Sequence, residues 1–289
     1  MANSIALFKQ YTTILDEKLR NVSATSVLDG APELARFGQN ANELIIQKME
    51  VSGLGNYDRS KGYVDGDVTL TNETVKCNFD RGRMFSVDNM DNAETAGMAY
   101  GRLAGVFIED KVVPELDAFR IATYASTPGI GSAQADLKDG AAVVKALRTA
   151  STEMDEAEVP FENRVLFITP TLYGHIMDLD LTKSKAVLDR FSVIKQVPQS
   201  RMYTAIKQLS GGSSEEEGGY TKAPEAQNLN FLIVWKPAVI QYQKHVAPKV
   251  ITPEMNQNAD AWKFGYRNVG IADTYENKVK GIYAHKAMA

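Results

Sequence analysis

The sequence holds one cysteine, three histidines and no long apolar run, and each scarcity removes a class of explanation. A lone Cys77 cannot close an intrachain disulfide, so stability must come from packing and association. His175, His245 and His285 are scattered, and no Cys or His pair has the spacing of metal ligands. No window approaches about 18 uninterrupted apolar residues, so nothing reads as a membrane span. A basic excess is missing as well: 32 Lys and Arg against 36 Asp and Glu leave a net charge of -4. That balance argues against affinity built on neutralising nucleic-acid phosphate, although local basic patches remain compatible with it. The opening residues have no basic start, continuous apolar core or small-residue cleavage site, so no secretory signal is read. The chain of 289 residues contains no visible internal repeat and has room for one large domain or two smaller ones.

What is present is organised around residues 43 to 94. The segments 44 to 51 and 67 to 78 are rich in Val, Ile and Thr, and GLGNYDRSKGY (53 to 63) between them carries turn-forming Gly, Asn, Asp and Ser. The pattern predicts a two-stranded ribbon, which is marginal in water unless it packs on something else. Its faces are mixed, because Val68 and Leu70 share one parity while Val75, Cys77 and Phe79 share the other. Either a bulge intervenes or different parts of the ribbon lie on different neighbours. After it, Phe85 and Val87 alternate with Ser86 and Asp88 as a short strand, and Asp91 with Glu94 forms a capping-box pattern opening a helix that runs to about Tyr124. Such a helix would be about 50 Å long. Pro114 lies inside it and is expected to kink or break it. Gly97, Gly101 and Gly105, four apart on one face, lower helix propensity by roughly 1 kcal/mol each and predict close packing against another element.

Elsewhere, Ile5, Phe8, Tyr11, Leu15 and Leu19 share a face of an amphipathic segment at 3 to 21, and residues 21 to 42 read as an extended connector. From about 127 the pattern becomes mixed α/β: a helix at 139 to 154, a strand at 164 to 169, then Thr169 as N-cap and Pro170 as first residue of a short helix. Strands are expected at 230 to 235, 238 to 243, 262 to 271 and 277 to 285, with an exposed mobile loop at 209 to 219 (LSGGSSEEEGG).

Chemistry is harder to find. Cys77 has no base nearby in sequence, and Gly53 with Gly55 lacks the third glycine and helix of a dinucleotide site. Asp80, Asp88, Asp91 and Glu94 could supply the paired carboxylates of a hydrolase. Arg81 and Arg83 lie among them, however, a charge pattern better suited to ion pairs between subunits, where a repeated network could set register.

At DRGRMFSVDNMDNAET (80 to 95) the chain resembles the major capsid proteins of tailed bacteriophages, with the Hong Kong 97-like fold. The resemblance extends through YTTILDEKLRNVSATSVL (11 to 28), VVPELDAFRIA (112 to 122), RVLFITPTLYGHIM (164 to 177), VPQSRMY (197 to 203) and ENKVKGIYAH (276 to 285), in the family's usual order. It implies an α+β fold with an N-terminal arm and connector (1 to 42), an extended β-hairpin loop (43 to 90), a peripheral domain of spine helix plus C-terminal strands (91 to 126 and 253 to 289), and a mixed α/β axial domain (127 to 252).

The function implied is non-enzymatic. Copies would associate as pentamers and hexamers in an icosahedral shell around double-stranded DNA contacted without sequence preference. No cofactor, catalytic residue, metal or membrane is involved. A separately encoded scaffolding protein is expected because the arm begins almost at Met1, with portal and decoration proteins as further partners. The subunit would belong to the virion, after assembly in the host cytoplasm. Intersubunit contacts are expected at Tyr57, Asp58, Arg59, Lys61, Arg81, Arg83, Asp88, Asp91 and Glu94, and spine-helix packing at Gly97, Gly101, Gly105 and Pro114. Some family members cross-link a loop-tip lysine to an asparagine. Lys61 is the only lysine near the tip, with no partner identifiable in sequence. The rivals are an encapsulin-like nanocompartment and an α+β hydrolase using the 80 to 94 carboxylates.

Overall fold

The computed structural model describes residues 23–30, 36–37, 43–57, 59–60, 62–90, 98–179, 181–212 and 217–288. Its first strands, β1 (Arg36–Phe37), β2 (Glu43–Val51) and β3 (Val68–Lys76), form an antiparallel ribbon in the order β1-β2-β3. Val51 opposes Val68 and Glu43 opposes Lys76. The pairing carries one step further, since Ser52 N–H donates to the Asp67 carbonyl at 3.0 Å.

Strand β4 (Phe79–Asp88) follows after two residues but leaves the ribbon. At the joint, the Asn78 side chain takes the place of a strand pair, donating from Nδ2 to the Ala272 carbonyl (2.7 Å) and accepting from Ala272 N–H (3.1 Å). The mixed parity of the sequence is thereby explained. Val75 and Cys77 at the inner end of β3 are half-buried on Ile240 and Ile271, Phe79 enters a different cluster, and Val68 and Leu70 near the outer end are exposed.

The long helix comprises Met98–Phe107, a π-helical turn at Ile108–Val112 and Val113–Ser126. Of the kink or break expected at Pro114, a break does not occur: helical backbone runs through it, with a π-helical irregularity just upstream. The widened turn just upstream accommodates a residue that has no N–H and whose ring would crowd the carbonyl four residues back, and Val113 N–H reaches five residues to the Ile108 carbonyl. From 98 to 126 the rod is roughly 40 Å long. Asp91, Glu94 and Gly97, and with them the expected capping box, lie outside the described residues.

Beyond the helix come β5 (Gly131–Gln134), the helix Gly140–Glu156, β6 (Arg164–Ile168), the helices Pro170–Met177 and Leu181–Leu188, β7 (Val193–Gln196), β8 (Ile206–Gln208), β9 (Tyr220–Lys222), β10 (Leu229–Trp235), β11 (Val239–Ile251), β12 (Ala261–Thr274) and β13 (Ile282–Lys286). Asp139 caps the Gly140–Glu156 helix by accepting from Ala142 N–H at 2.7 Å. Thr169 occupies the N-cap position before Pro170 as expected, but its side chain makes no capping bond. Of the strand expected at 277 to 285, the first part lies in a 3-10 turn (Glu276–Gly281), and the strand begins only at Ile282.

Two larger sheets organise the rest. The first is antiparallel, β11-β12-β4, with Phe264 opposite Phe85 and Gly270 opposite Phe79. The second is mixed, β5-β13-β10-β6-β7. Every residue of β6 is buried because both faces are covered: Leu166 and Ile168 meet Val143, Leu147 and Leu172, while Val165 and Phe167 join the cluster of Ile121 and Tyr124. The long helix spans the two cores, giving Val113 and Leu116 to the first sheet and Ile121, Tyr124 and Ala125 to the second. Sheet membership crosses the 252/253 division expected from sequence. β13, from the C-terminal segment, inserts between β5 and β10, whereas β11 pairs with β12.

Candidate intersubunit surfaces

The described side chains of the ribbon's outer half are largely uncovered. Leu54 is fully exposed, Tyr63 is 89% exposed, and Val51, Val64, Val68 and Leu70 are exposed beside them. Tyr57 and Tyr63 meet edge to face across the loop with ring centroids 4.9 Å apart, so the tip has a formed surface. Aromatic and aliphatic groups held out in water on a ribbon with so little support of its own are what a partner surface would cover. Of the residues expected to make contacts here, Tyr57 and Arg59 are exposed; Asp58 and Lys61 lie outside the described residues.

Arg81, expected at an intersubunit contact, makes several bonds within its own chain. Its Nε pairs with Glu115 Oε1 at 2.7 Å, and its Nη2 donates to the carbonyls of Leu209 (2.7 Å) and Gly219 (3.2 Å). A half-buried guanidinium holding three oxygens is committed within its own chain. It fixes both ends of the 209 to 219 segment, where Leu209 N–H also bonds the Gly219 carbonyl. Arg83, two residues on, passes between Gly211 and Gly218. A β-carbon at either glycine would stand 2.9 or 3.0 Å from Arg83 Nη1. The segment expected as a free exposed loop is therefore tied at its base; residues 213–216 lie outside the described residues.

Asp88 closes β4, and its Oδ1 accepts from Met90 N–H at 2.9 Å. Asp80 lies eight residues earlier on the same strand, about 26 Å away at the usual rise, and is held by two bonds from Arg267 (2.8 and 2.5 Å). These two carboxylates do not converge, contrary to what a hydrolase using them would require. Gly101 and Gly105 fall on the first half of the long helix and Pro114 just after its π turn.

One buried carboxylate with many partners was not singled out by sequence. Asp117, fully buried on the long helix, accepts at Oδ1 from Ser23 Oγ (2.7 Å), Thr25 Oγ1 (2.7 Å) and Thr25 N–H (3.2 Å). At Oδ2 it accepts from Ala24 N–H (3.0 Å) and Arg201 Nη1 (3.2 Å). Gln241 completes the clasp, donating from Nε2 to the Thr25 carbonyl and Asp29 Oδ1 while accepting from Tyr124 hydroxyl at 2.8 Å. Burial pushes the Tyr124 phenol well above its ordinary range, so it stays a donor to Gln241. The clasp roots the N-terminal connector on the helix that joins the two cores. The available signal was an aspartate between apolar neighbours in VVPELDAFRIA, with Arg120 three residues on.

A cleft of about 870 Å3 runs between the first sheet, the long helix and the 200 to 222 segment. Phe79, Phe85 and Phe107 contribute apolar walls, and Asn268 on β12 lies in its lining, 1% exposed. Among the described residues, neither the oxygen nor the nitrogen of that carboxamide meets a hydrogen-bond partner. Among the described residues, no group of three His, Cys, Asp or Glu is placed to hold a metal, and no helix is long and apolar enough to cross a membrane.

No family model and no curated protein matches the sequence. Solved structures do match in fold. The chain is similar to a structure from Gordonia phage Cozz (TM-score 0.58, 11% identity, 92% of this chain and 86% of that one). It is similar to the bacteriophage PhiM1 mature capsid (TM-score 0.56, 11% identity, 86% and 82%). It is also similar to a virus-like particle from Pyrococcus furiosus (TM-score 0.56, 11% identity, 93% and 98%). The chain thus has the mixed helix and sheet fold of phage capsid proteins over most of its length, as its resemblance to that family implied.

Proposed function

We propose that this chain is the major capsid protein of a tailed bacteriophage, a non-enzymatic subunit that associates with its own copies as pentamers and hexamers of an icosahedral shell enclosing double-stranded DNA. The observation that carries this reading is the β2–β3 ribbon, whose outer apolar residues are uncovered in a chain that has the fold of phage capsid proteins. The ribbon is the connector to a neighbouring subunit, with Tyr57 and Arg59 on the contact surface. The 98–126 helix is the spine and, with the β11-β12-β4 sheet, forms the peripheral part. The five-stranded sheet and its helices form the axial part, facing the capsomer centre. The near-neutral charge suits a container that contacts its genome without binding it tightly. A scaffolding protein guides assembly, portal and decoration proteins complete the head, and the virion is the final location.

Negative-stain electron microscopy of the protein from its native source tests this. Closed particles tens of nanometres across with dense DNA interiors are the expected result. A uniform population of small oligomers that no scaffolding protein converts to shells overturns it. A nanocompartment of the same fold, the alternative reading, predicts enzyme-filled shells without packaged DNA.

A further inference from the structure

The sequence contains three Asp-Gly pairs, and the fold treats them differently. In such a pair the glycine nitrogen, with no side chain beside it, can reach the aspartate carboxyl carbon and close a five-membered ring, provided that neither group is held elsewhere. Asp29–Gly30 is held on both sides. Asp29 Oδ1 accepts from Gln241 Nε2 at 2.7 Å and faces Arg120, Gly30 N–H donates to the Gln241 carbonyl at 3.0 Å, and the Tyr242 ring fills the space beside Gly30. Asp139–Gly140 is held as a helix start. Asp139 Oδ1 accepts from Ala142 N–H at 2.7 Å, and Gly140 lies tight against the His175 carbonyl. Asp65–Gly66, in the loop that closes the ribbon, has neither restraint. Both residues are exposed, and among the described residues no hydrogen bond or ion pair holds the Asp65 carboxylate or the Gly66 N–H. The nearest atom to a β-carbon placed at Gly66 would be Ser52 Cβ, at 3.7 Å, so the space around the glycine is open.

We propose that Asp65–Gly66 is a site of spontaneous covalent modification, at which the main chain rearranges to isoaspartate while the other two pairs stay intact. The Gly66 nitrogen bonds to Cγ of the Asp65 carboxylic acid. Its proton leaves with the carboxyl hydroxyl as water, and a succinimide ring closes. Water then adds to the ring at the former main-chain carbonyl carbon of Asp65, breaking the bond from that carbon to the Gly66 nitrogen. The chain now runs through Cγ, the old carbonyl carbon becomes a free carboxylate, and mass and charge are unchanged. One atom has been inserted into the main chain directly before Gly66. The next residue, Asp67, is the last partner in the ribbon: its N–H donates to Ser52 Oγ at 2.7 Å and its carbonyl accepts from Ser52 N–H at 3.0 Å. The modification therefore alters the lead into the pair that closes the ribbon, and it does so in the free subunit whether or not the chain builds a shell.

The test ages the folded full chain at neutral pH and physiological temperature. Isoaspartate is mapped by peptide fragmentation that separates the two linkages, with methyl transfer by an isoaspartyl methyltransferase as a second readout. It is expected to accumulate at Asp65 at least about tenfold faster than at Asp29 or Asp139, because those two must first lose their native contacts. In urea, where no fold restrains them, the three pairs are expected to react within about threefold of one another. Equal accumulation at the three pairs in the folded chain overturns the proposal, as does Asp65 leading by the same factor in urea. So does a folded chain in which Asp65 stays intact while a short peptide spanning residues 63 to 68 rearranges. Gly66→Ala, which the open space admits, is expected to cut the Asp65 rate severalfold by crowding the attacking nitrogen. Asp65→Glu is expected to abolish the signal, since a five-membered ring no longer closes. An unchanged signal in either variant counts against the proposal.

Discussion

Thr25 and Asp117, 92 residues apart in sequence, are joined twice through one carboxylate oxygen: Thr25 Oγ1 donates to Oδ1 at 2.7 Å and Thr25 N–H donates to it at 3.2 Å. With Ser23, Ala24 and Arg201 this gives a buried charge five donors, the condition under which a carboxylate is tolerated in a core.

Removing that carboxylate leaves five donors without their acceptor. Asp117→Ala is expected to lower stability by about 3–5 kcal/mol, read by urea denaturation, and to expose the 23 to 30 segment to protease. An unchanged midpoint with intact protection would show that the clasp contributes nothing.

Arg81 is expected to control cleavage within the 209 to 219 segment. Arg81→Ala should speed proteolysis there severalfold while leaving the rest of the chain resistant, because its two carbonyl contacts hold the base of the segment closed. Limited proteolysis with mass spectrometry of the fragments checks this.

His285 predicts a pH dependence. Burial lowers its pKa, and its ring stacks on Phe231 while Nδ1 accepts from Asn230 Nδ2 at 3.0 Å. The unfolded chain therefore binds the proton more readily than the folded one. The His285 contribution is intact above the unfolded value of about 6.5 and is lost as pH falls below it toward the folded pKa. Thermal melts of wild type and His285→Gln between pH 7.5 and 5 should converge at the acid end. Parallel curves would remove His285 as the cause.

Gly140 opens its helix against the C-terminal end of the Pro170–Met177 helix. A β-carbon there would stand 2.1 Å from the His175 carbonyl oxygen and 2.7 Å from Leu179, so Gly140→Ala must part the two helices. A loss of about 1–3 kcal/mol is expected, despite alanine's better helix propensity, and calorimetry measures it.

The ribbon tip should separate folding from assembly. Leu54→Asp with Tyr63→Ser changes exposed groups, so the melting temperature should hold within the usual range for surface changes, about 0.5 kcal/mol, while electron microscopy shows no shells. Normal shells from this variant would show that the tip is not the connector.

The sequence alone determined the local elements. Val, Ile and Thr content between turn residues located the ribbon, apolar runs located the strands expected at 164 to 169 and 230 to 235, Pro170 opened a helix where its fixed φ directs, and the order of segments carried the resemblance to phage capsid proteins. These are decided by neighbours along the chain. Tertiary structure decided what depends on distant partners. Only the fold placed β13 between β5 and β10, because a short apolar strand carries no mark of which sheet will cover it. It also turned Arg81 inward onto Glu115 and the 209 to 219 segment, since a guanidinium between carboxylates in sequence reads equally as surface or interior. The clasp at Asp117 needed the chain to return to its own beginning. A buried charge becomes stable only when donors from elsewhere converge on it, and no local pattern encodes that convergence.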